Sequence, residues 1–148
     1  MMLKRKILLA VMVFVFACLR LNAQNNPEDQ IRGIWLTEDK DGKVEIFRAG
    51  DTWCGKLVWG NSVLDKNGEP KHDVNNPDPK LRSRFLQGMV MLTGLKYEDG
   101  KWQEGKIYNG LTGKSYNVIV TIKGNSLLLR GYIGFPIFGK TTVWQRIE

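Results

Sequence analysis

A chain of 148 residues, 43% of them hydrophobic, with a formal net charge of +7, is long enough to build one core and short for two domains. Residues 1–23 hold four of the cations (Lys4, Arg5, Lys6, Arg20) and no acid, so the remainder carries only +3. That balance gives no reason to expect a nucleic-acid partner, a single histidine excludes a His-rich metal site, and nothing in the composition calls for a cofactor.

The basic residues 4–6, an apolar run over 7–19 and Leu21-Asn22-Ala23 before Gln24 have the layout of a secretory signal peptide. The apolar run of 13 residues is shorter than the roughly 20 that a membrane span needs. Cleavage after Ala23 would place the protein in the periplasm or at the cell exterior. A retained anchor is a weaker reading, and so is lipoprotein attachment through Cys18, because Phe16 fits a lipoprotein box badly. With Cys18 removed, Cys54 stands alone and an intramolecular disulfide cannot form. A partnerless thiol of this kind most often packs as a small hydrophobe.

Residues 24–30 read as a flexible lead-in to a single domain over 31–148. Segments 31–37 and 43–48 flank the turn Glu38-Asp39-Lys40-Asp41-Gly42, and Asp-Gly is a good reversal signal. Strand candidates follow at 52–59, 86–96, 101–108, 115–122, 126–132 and 141–147, separated by turn residues such as Glu98-Asp99-Gly100 and Lys123-Gly124-Asn125. Eight short strands, most of them local hairpin neighbours, predict an all-β, up-and-down antiparallel barrel. Helix is expected only as a turn or two within residues 79–84. Tyr116, Val118, Val120 and Ile122 alternate onto one face of their strand; Trp53, Gly55, Leu57 and Trp59 do so on theirs.

Gly33-Ile34-Trp35 opens the first strand and Trp144-Gln145-Arg146 closes the last. In such a barrel these strands pair, so Trp35 can plug one end, Gly33 can permit close packing, and Arg146 or Trp144 can lie across the indole. This arrangement resembles the calycin group, the lipocalin-like barrels. A closer resemblance runs through GIW, VEIFRAGDTWCGKLVWG (44–60), NNPDPKLRSRFLQG (75–88), KWQEGKIYNGLTGKSY (101–116) and RGYIGFPIFGKTTVWQR (130–146). Together these blocks resemble the DUF2147 family of small exported bacterial proteins. Phe85 stands where members tend to carry Pro, and Asn109-Gly110 where they tend to carry an Asp-Pro turn; both are loop adjustments. The resemblance implies an architecture and no active-site roles.

The residues themselves do not suggest an enzyme. Cys54 falls within a strand and His72 within a loop, with no Gly-rich elbow before the Cys, and no G-x-S-x-G or phosphate-binding loop is present. Asp39/Asp41 and Asp65/Asn67/Glu69 lack the 12-position calcium-loop pattern and serve as turns.

The long connection over residues 60–85 is a candidate binding segment. Its Arg82 and Arg84 could receive an acidic head group at a barrel mouth. The simpler alternative, and the preferred one, is that Asp73 or Asp78 pairs with an Arg to hold the loop down. Residues 133–139 place two Ile and two Phe where polarity would be expected. They are expected to fold back as a cap. Otherwise Ile133, Phe135, Ile137 and Phe138 would contact an envelope protein or a membrane surface.

The function expected is that of a binding module for a small, apolar or amphipathic molecule, with Trp53, Trp59 and Tyr116 lining the interior and Arg82 or Arg84 meeting its polar end. The alternative is a filled barrel that serves only as a structural or interaction module. Oligomeric state is left open.

Overall fold

The computed structural model describes residues 26–148; the leader, with its cleavage or lipidation, lies outside them. Eight antiparallel strands close into one barrel in sequence order: β1 (Gly33–Leu36), β2 (Gly42–Ala49), β3 (Thr52–Gly60), β4 (Val90–Glu98), β5 (Lys101–Asn109), β6 (Lys114–Lys123), β7 (Ser126–Tyr132) and β8 (Lys140–Arg146). Helix is limited to four short 3-10 turns, one of them Pro79–Leu81 in the expected segment. Among the described residues no helix is long and apolar enough to cross a membrane.

Turn chemistry sets the hairpins. Asp99 and Gly100 both have positive φ, 52° and 76°, the geometry that joins two twisted strands in a two-residue turn. This hairpin pairs Glu98 with Lys101 and Tyr97 with Trp102. On β5 a bulge, with Glu104 at φ 64°, separates Trp102 from Gly105, so that both face inward against Val120 and Val118.

One end of the barrel is closed and filled. Trp35, Trp53, Trp102 and Trp144 are all buried there, with Ile46, Leu95, Val120 and Leu127 between them. Residues 27–30 of the lead-in read as flexible, together with Ile31 from the first strand candidate, instead form a 3-10 turn that covers this end. Its Asn26 cap accepts from the Glu28 amide, Ile31 is buried, and Arg48 pairs with Glu28 at 2.6 Å. The Trp35 indole donates to the Ile31 carbonyl at 2.9 Å, and that of Trp102 to the Glu28 carbonyl at 3.2 Å.

Arg146 locks the seam. Its guanidinium lies 4.2 Å from the centre of the Trp35 ring and donates to the carbonyls of Arg32, at 2.6 Å, and Gln30. Gly33 makes the approach possible. It has φ +139°, and a Cβ there would meet both the Arg146 guanidinium and the Glu148 carbonyl oxygen at 2.5 Å.

Two sequence expectations are corrected. Trp59 leaves the inward face of Trp53, Gly55 and Leu57 because a bulge at Val58 shifts the β2–β3 register: Val44 pairs with Leu57, but Lys43 pairs with Trp59. One extra residue exchanges the faces beyond it, so Gly60 points inward and Trp59 points out beside Lys43. Residues 133–139, expected as a cap, instead stand out from the barrel, with Ile133, Phe135, Ile137 and Phe138 exposed. Their turn is held at its base by Arg130, which leaves the apolar side chains pointing away.

Truncation of Trp35 removes both the plug and the surface on which Arg146 stacks. Trp35→Ala is expected to cost about 3–5 kcal/mol, read as a lower urea midpoint at unchanged slope; an unchanged midpoint would reject the plug role.

Candidate functional site

The end opposite Trp35 carries the turn after β1, the long connection over residues 61–89, the β5–β6 turn and the β7–β8 loop. A cavity of about 270 Å³ opens there. Its floor is Val44 and Leu57, the first apolar layer above the tryptophans. Its walls are Met91, Ile107, Tyr108 and Tyr116 from β4, β5 and β6, with Val63, Leu86 and Met89 from the long connection. Polar groups are confined to the rim, among them Thr37, Asp41, Ser62 and Asn109. Asp41 is the sole charged lining residue, and its carboxylate accepts from the Thr37 hydroxyl at 2.7 Å.

The long connection can serve as a wall because its polar groups are tied to the barrel. Asp73 is 0% exposed, and its carboxylate takes three partners. One oxygen accepts from the Tyr108 hydroxyl at 2.5 Å; the other accepts from Asn76 Nδ2 at 2.7 Å and from Arg84 Nε at 2.9 Å. The second Arg84 nitrogen, Nη2, also lies 2.9 Å from that oxygen, so one charged partner offsets the cost of burying the carboxylate. Bridges between Leu64 and Pro70 and between His72 and Phe85 complete the tie, and His72 and Phe85 stack with ring centres 4.7 Å apart. Leu86 and Met89, read from sequence as the start of a strand, are loop residues whose side chains reach the core, and β4 begins at Val90.

The structure does not gather the sequence-selected residues into one site. Tyr116 lines the cavity. Trp53 is buried at the closed end, with the guanidiniums of Arg32 and Arg48 each 5.6 Å from its ring. Trp59 is 37% exposed on the outer surface. Arg84 is committed to Asp73, and Arg82 donates from Nε to the Asn76 carbonyl at 2.8 Å; neither is among the cavity-lining residues. Gly33, Trp35, Trp144 and Arg146 meet at the closed end and the seam.

Sequence reading missed Met89, Met91, Ile107 and Tyr108 as lining residues. Ile107 and Tyr108 are neighbours on β5, and strict alternation cannot put both at one cavity. The signal available was the pairing of a buried-type acid with a tyrosine, but Asp73 and Tyr108 lie 35 residues apart. Cys54 is partly covered on the outward face of β3. Among the described residues no three His, Cys, Asp or Glu side chains gather where they could hold a metal ion.

Burial, followed by the hydrogen bond to Asp73, pushes the Tyr108 hydroxyl from 10.0 up to about 12. The unfolded chain therefore ionises first. Stability from this group is full below about pH 10 and is lost as the pH rises toward about 12. An ultraviolet titration should show one of the four tyrosines ionising late, and Tyr108→Phe should remove that step alone. Arg84→Ala strands a buried carboxylate and should cost about 3 kcal/mol, whereas Arg82→Ala should cost about 1 kcal/mol. Equal losses in chemical denaturation would contradict this division of roles.

The chain matches the family model DUF2147, described as "Uncharacterized protein conserved in bacteria", over residues 33–146. No match was found among the curated proteins. Among solved structures it is similar to HP1028 of Helicobacter pylori, a protein described as belonging to the lipocalin family. The identity is 30%, the alignment covers 79% of this chain and 82% of that one, and the TM-score is 0.70. The barrel spanned by the family match runs from Gly33, against the seam, to Arg146, which locks it: the chain belongs to the DUF2147 family, with a lipocalin-like fold.

Proposed function

We propose that the protein is an exported binding module that holds a small, largely apolar molecule in the cavity at the barrel mouth. One observation carries this reading: an apolar cavity of about 270 Å³ sits above a filled half-barrel. That volume is close to the lower end, about 300 Å³, of small-molecule sites, so the ligand is small or only partly enclosed. The lipocalin description of the Helicobacter pylori relative supports a ligand-binding barrel. The leader over residues 1–23 supports a location in the periplasm or at the cell exterior.

Tyr116 belongs to the proposed site, with Met91, Ile107 and Met89 as the apolar contacts. The proposal does not draw on Arg82 or Arg84, since Arg84 balances Asp73 and Arg82 holds the Asn76 carbonyl. With Asp41 as the charged lining residue, the ligand's polar end is better matched by a neutral hydrogen-bond donor or a cation than by an acid. No nucleophile–base pair supports an enzymatic reading, because Cys54 lies in β3 and His72 stacks on Phe85. The exposed residues Ile133, Phe135, Ile137 and Phe138 add a second role, contact with an apolar partner.

Native mass spectrometry of the exported protein should show an adduct that is lost on denaturation. The neutral dye N-phenyl-1-naphthylamine should bind saturably, and Met91→Trp and Ile107→Trp, which fill the cavity, should each weaken it at least about tenfold, the loss of one buried apolar contact. Saturable dye binding that both filling variants leave unchanged would reject the cavity as the site.

A further inference from the structure

We propose that the mouth end of the barrel docks on the surface of an anionic lipid bilayer, with residues 133–139 as the segment that enters it. The inference does not depend on the cavity being loaded.

Eleven large apolar side chains are exposed among the described residues, and ten of them lie at the mouth end; Ile147, at the seam, is the exception. Isolated exposed apolar residues are ordinary, but a one-sided cluster is not. The cluster peaks in the β7–β8 loop, where Ile133, Phe135, Ile137 and Phe138 are 71–81% exposed.

The loop is built to hold that exposure. Arg130 donates from Nε to the Pro136 carbonyl at 2.7 Å, from Nη2 to the Ile137 carbonyl at 3.1 Å and from Nη1 to the Thr141 hydroxyl at 3.0 Å. The amides of Phe138 and Gly139 bond back to the carbonyls of Phe135 and Pro136 at 3.1 and 3.0 Å. Much of the main chain at the tip is therefore satisfied internally. That is what a segment needs before it leaves water for an acyl layer, where unpaired amides and carbonyls are costly. It also reduces the backbone entropy that insertion would otherwise cost at these residues.

Charge selects the lipid. From Gly105 to Ile147 the sequence carries six cations and no Asp or Glu. Two of the cations flank the loop directly: Lys140 follows it, and Lys106 shares an outer groove with Tyr132 and Ile133. Lys114 begins β6 at the same end. An apolar tip ringed by exposed lysines matches a bilayer whose interior takes the tip and whose anionic head groups take the cations. The exposed acids of the mouth end lie on the turn after β1 (Glu38, Asp39 and Asp41) and on the long connection (Asp65, Glu69 and Asp78), and none lies on the β5–β6 turn or the β7–β8 loop. The barrel therefore turns its β5–β8 side toward the membrane, with the acids of the long connection and of the turn after β1 at the edge of the contact, where Glu38 accepts from the Val143 amide of β8 at 3.1 Å.

The test uses the exported protein and Phe138→Trp with vesicles of phosphatidylglycerol and phosphatidylcholine, some bearing brominated acyl chains. The expected result is quenching by brominated phosphatidylglycerol in the variant beyond that of the parent protein, with little effect in pure phosphatidylcholine. Because the added indole reports its own position, this readout is independent of any lipid anchor near the N-terminus. Phe135→Ser with Ile137→Ser should raise the lipid concentration needed for half-maximal quenching at least about tenfold. Neutralising Lys106 or Lys140 should weaken the association about fivefold each. Absence of extra quenching at low salt overturns the proposal, as does a reversible dimer that the same loop substitutions dissolve. Met91→Trp should leave vesicle binding unchanged, so failure of the cavity reading and failure of the membrane reading are distinguishable.

Discussion

The barrel depends on closing a short seam. β1 and β8 pair through only Trp35 with Arg146 and Leu36 with Gln145, whereas other neighbouring strands share longer registers. Main-chain bonds from Ile147 to Ile34 and from Ile34 to Glu148 extend the junction, but a guanidinium holds it. Arg146 stacks on the plug of the barrel and donates to the 3-10 turn that covers it, so strand closure, core packing and the lid at that end share one side chain. Its five fixed donors and flat face suit this position, and a lysine could not reproduce both contacts.

That concentration of packing leaves the other end free. Four buried tryptophans fill the closed half, helped by Gly55 and Gly105, where a Cβ would meet Leu92 at 3.0 Å and Leu95 at 2.5 Å. Above them the interior is lined by Val44, Leu57 and flexible Met side chains, and the long connection completes the wall. Asp73 makes this possible. A loop of this length would ordinarily run over the surface in water, but a fully buried carboxylate with Tyr108, Asn76 and Arg84 as partners fixes it to the strand edge. The same network takes Arg84 out of any role at the mouth.

The mouth end then carries two features of different origin. The cavity arises from what the core omits, and the protruding loop from what Arg130 holds outward. Both face the same way because an up-and-down barrel sends every second connection to one end. The cavity and the protruding loop are thereby placed at the same end of the barrel.

Strand number, order and hairpin partners were legible in the sequence, since turn residues and period-two alternation are local properties. So was the pairing of the first strand with the last, through the positions of Gly33, Trp35, Trp144 and Arg146 at the two ends of the repeating pattern. The cavity was not legible. Trp59 alternates correctly with Trp53 until a one-residue bulge reverses it, and a bulge is set by the partner strand. Asp73, Tyr108 and Arg84 carry no mark of their meeting, because their contact spans the long connection. The sequence by itself determined that the chain is an eight-stranded up-and-down barrel whose first and last strands meet. Tertiary structure alone decided which aromatics face inward, which arginine is neutralised and where the interior is empty, because each depends on register and on contacts between residues far apart in the chain.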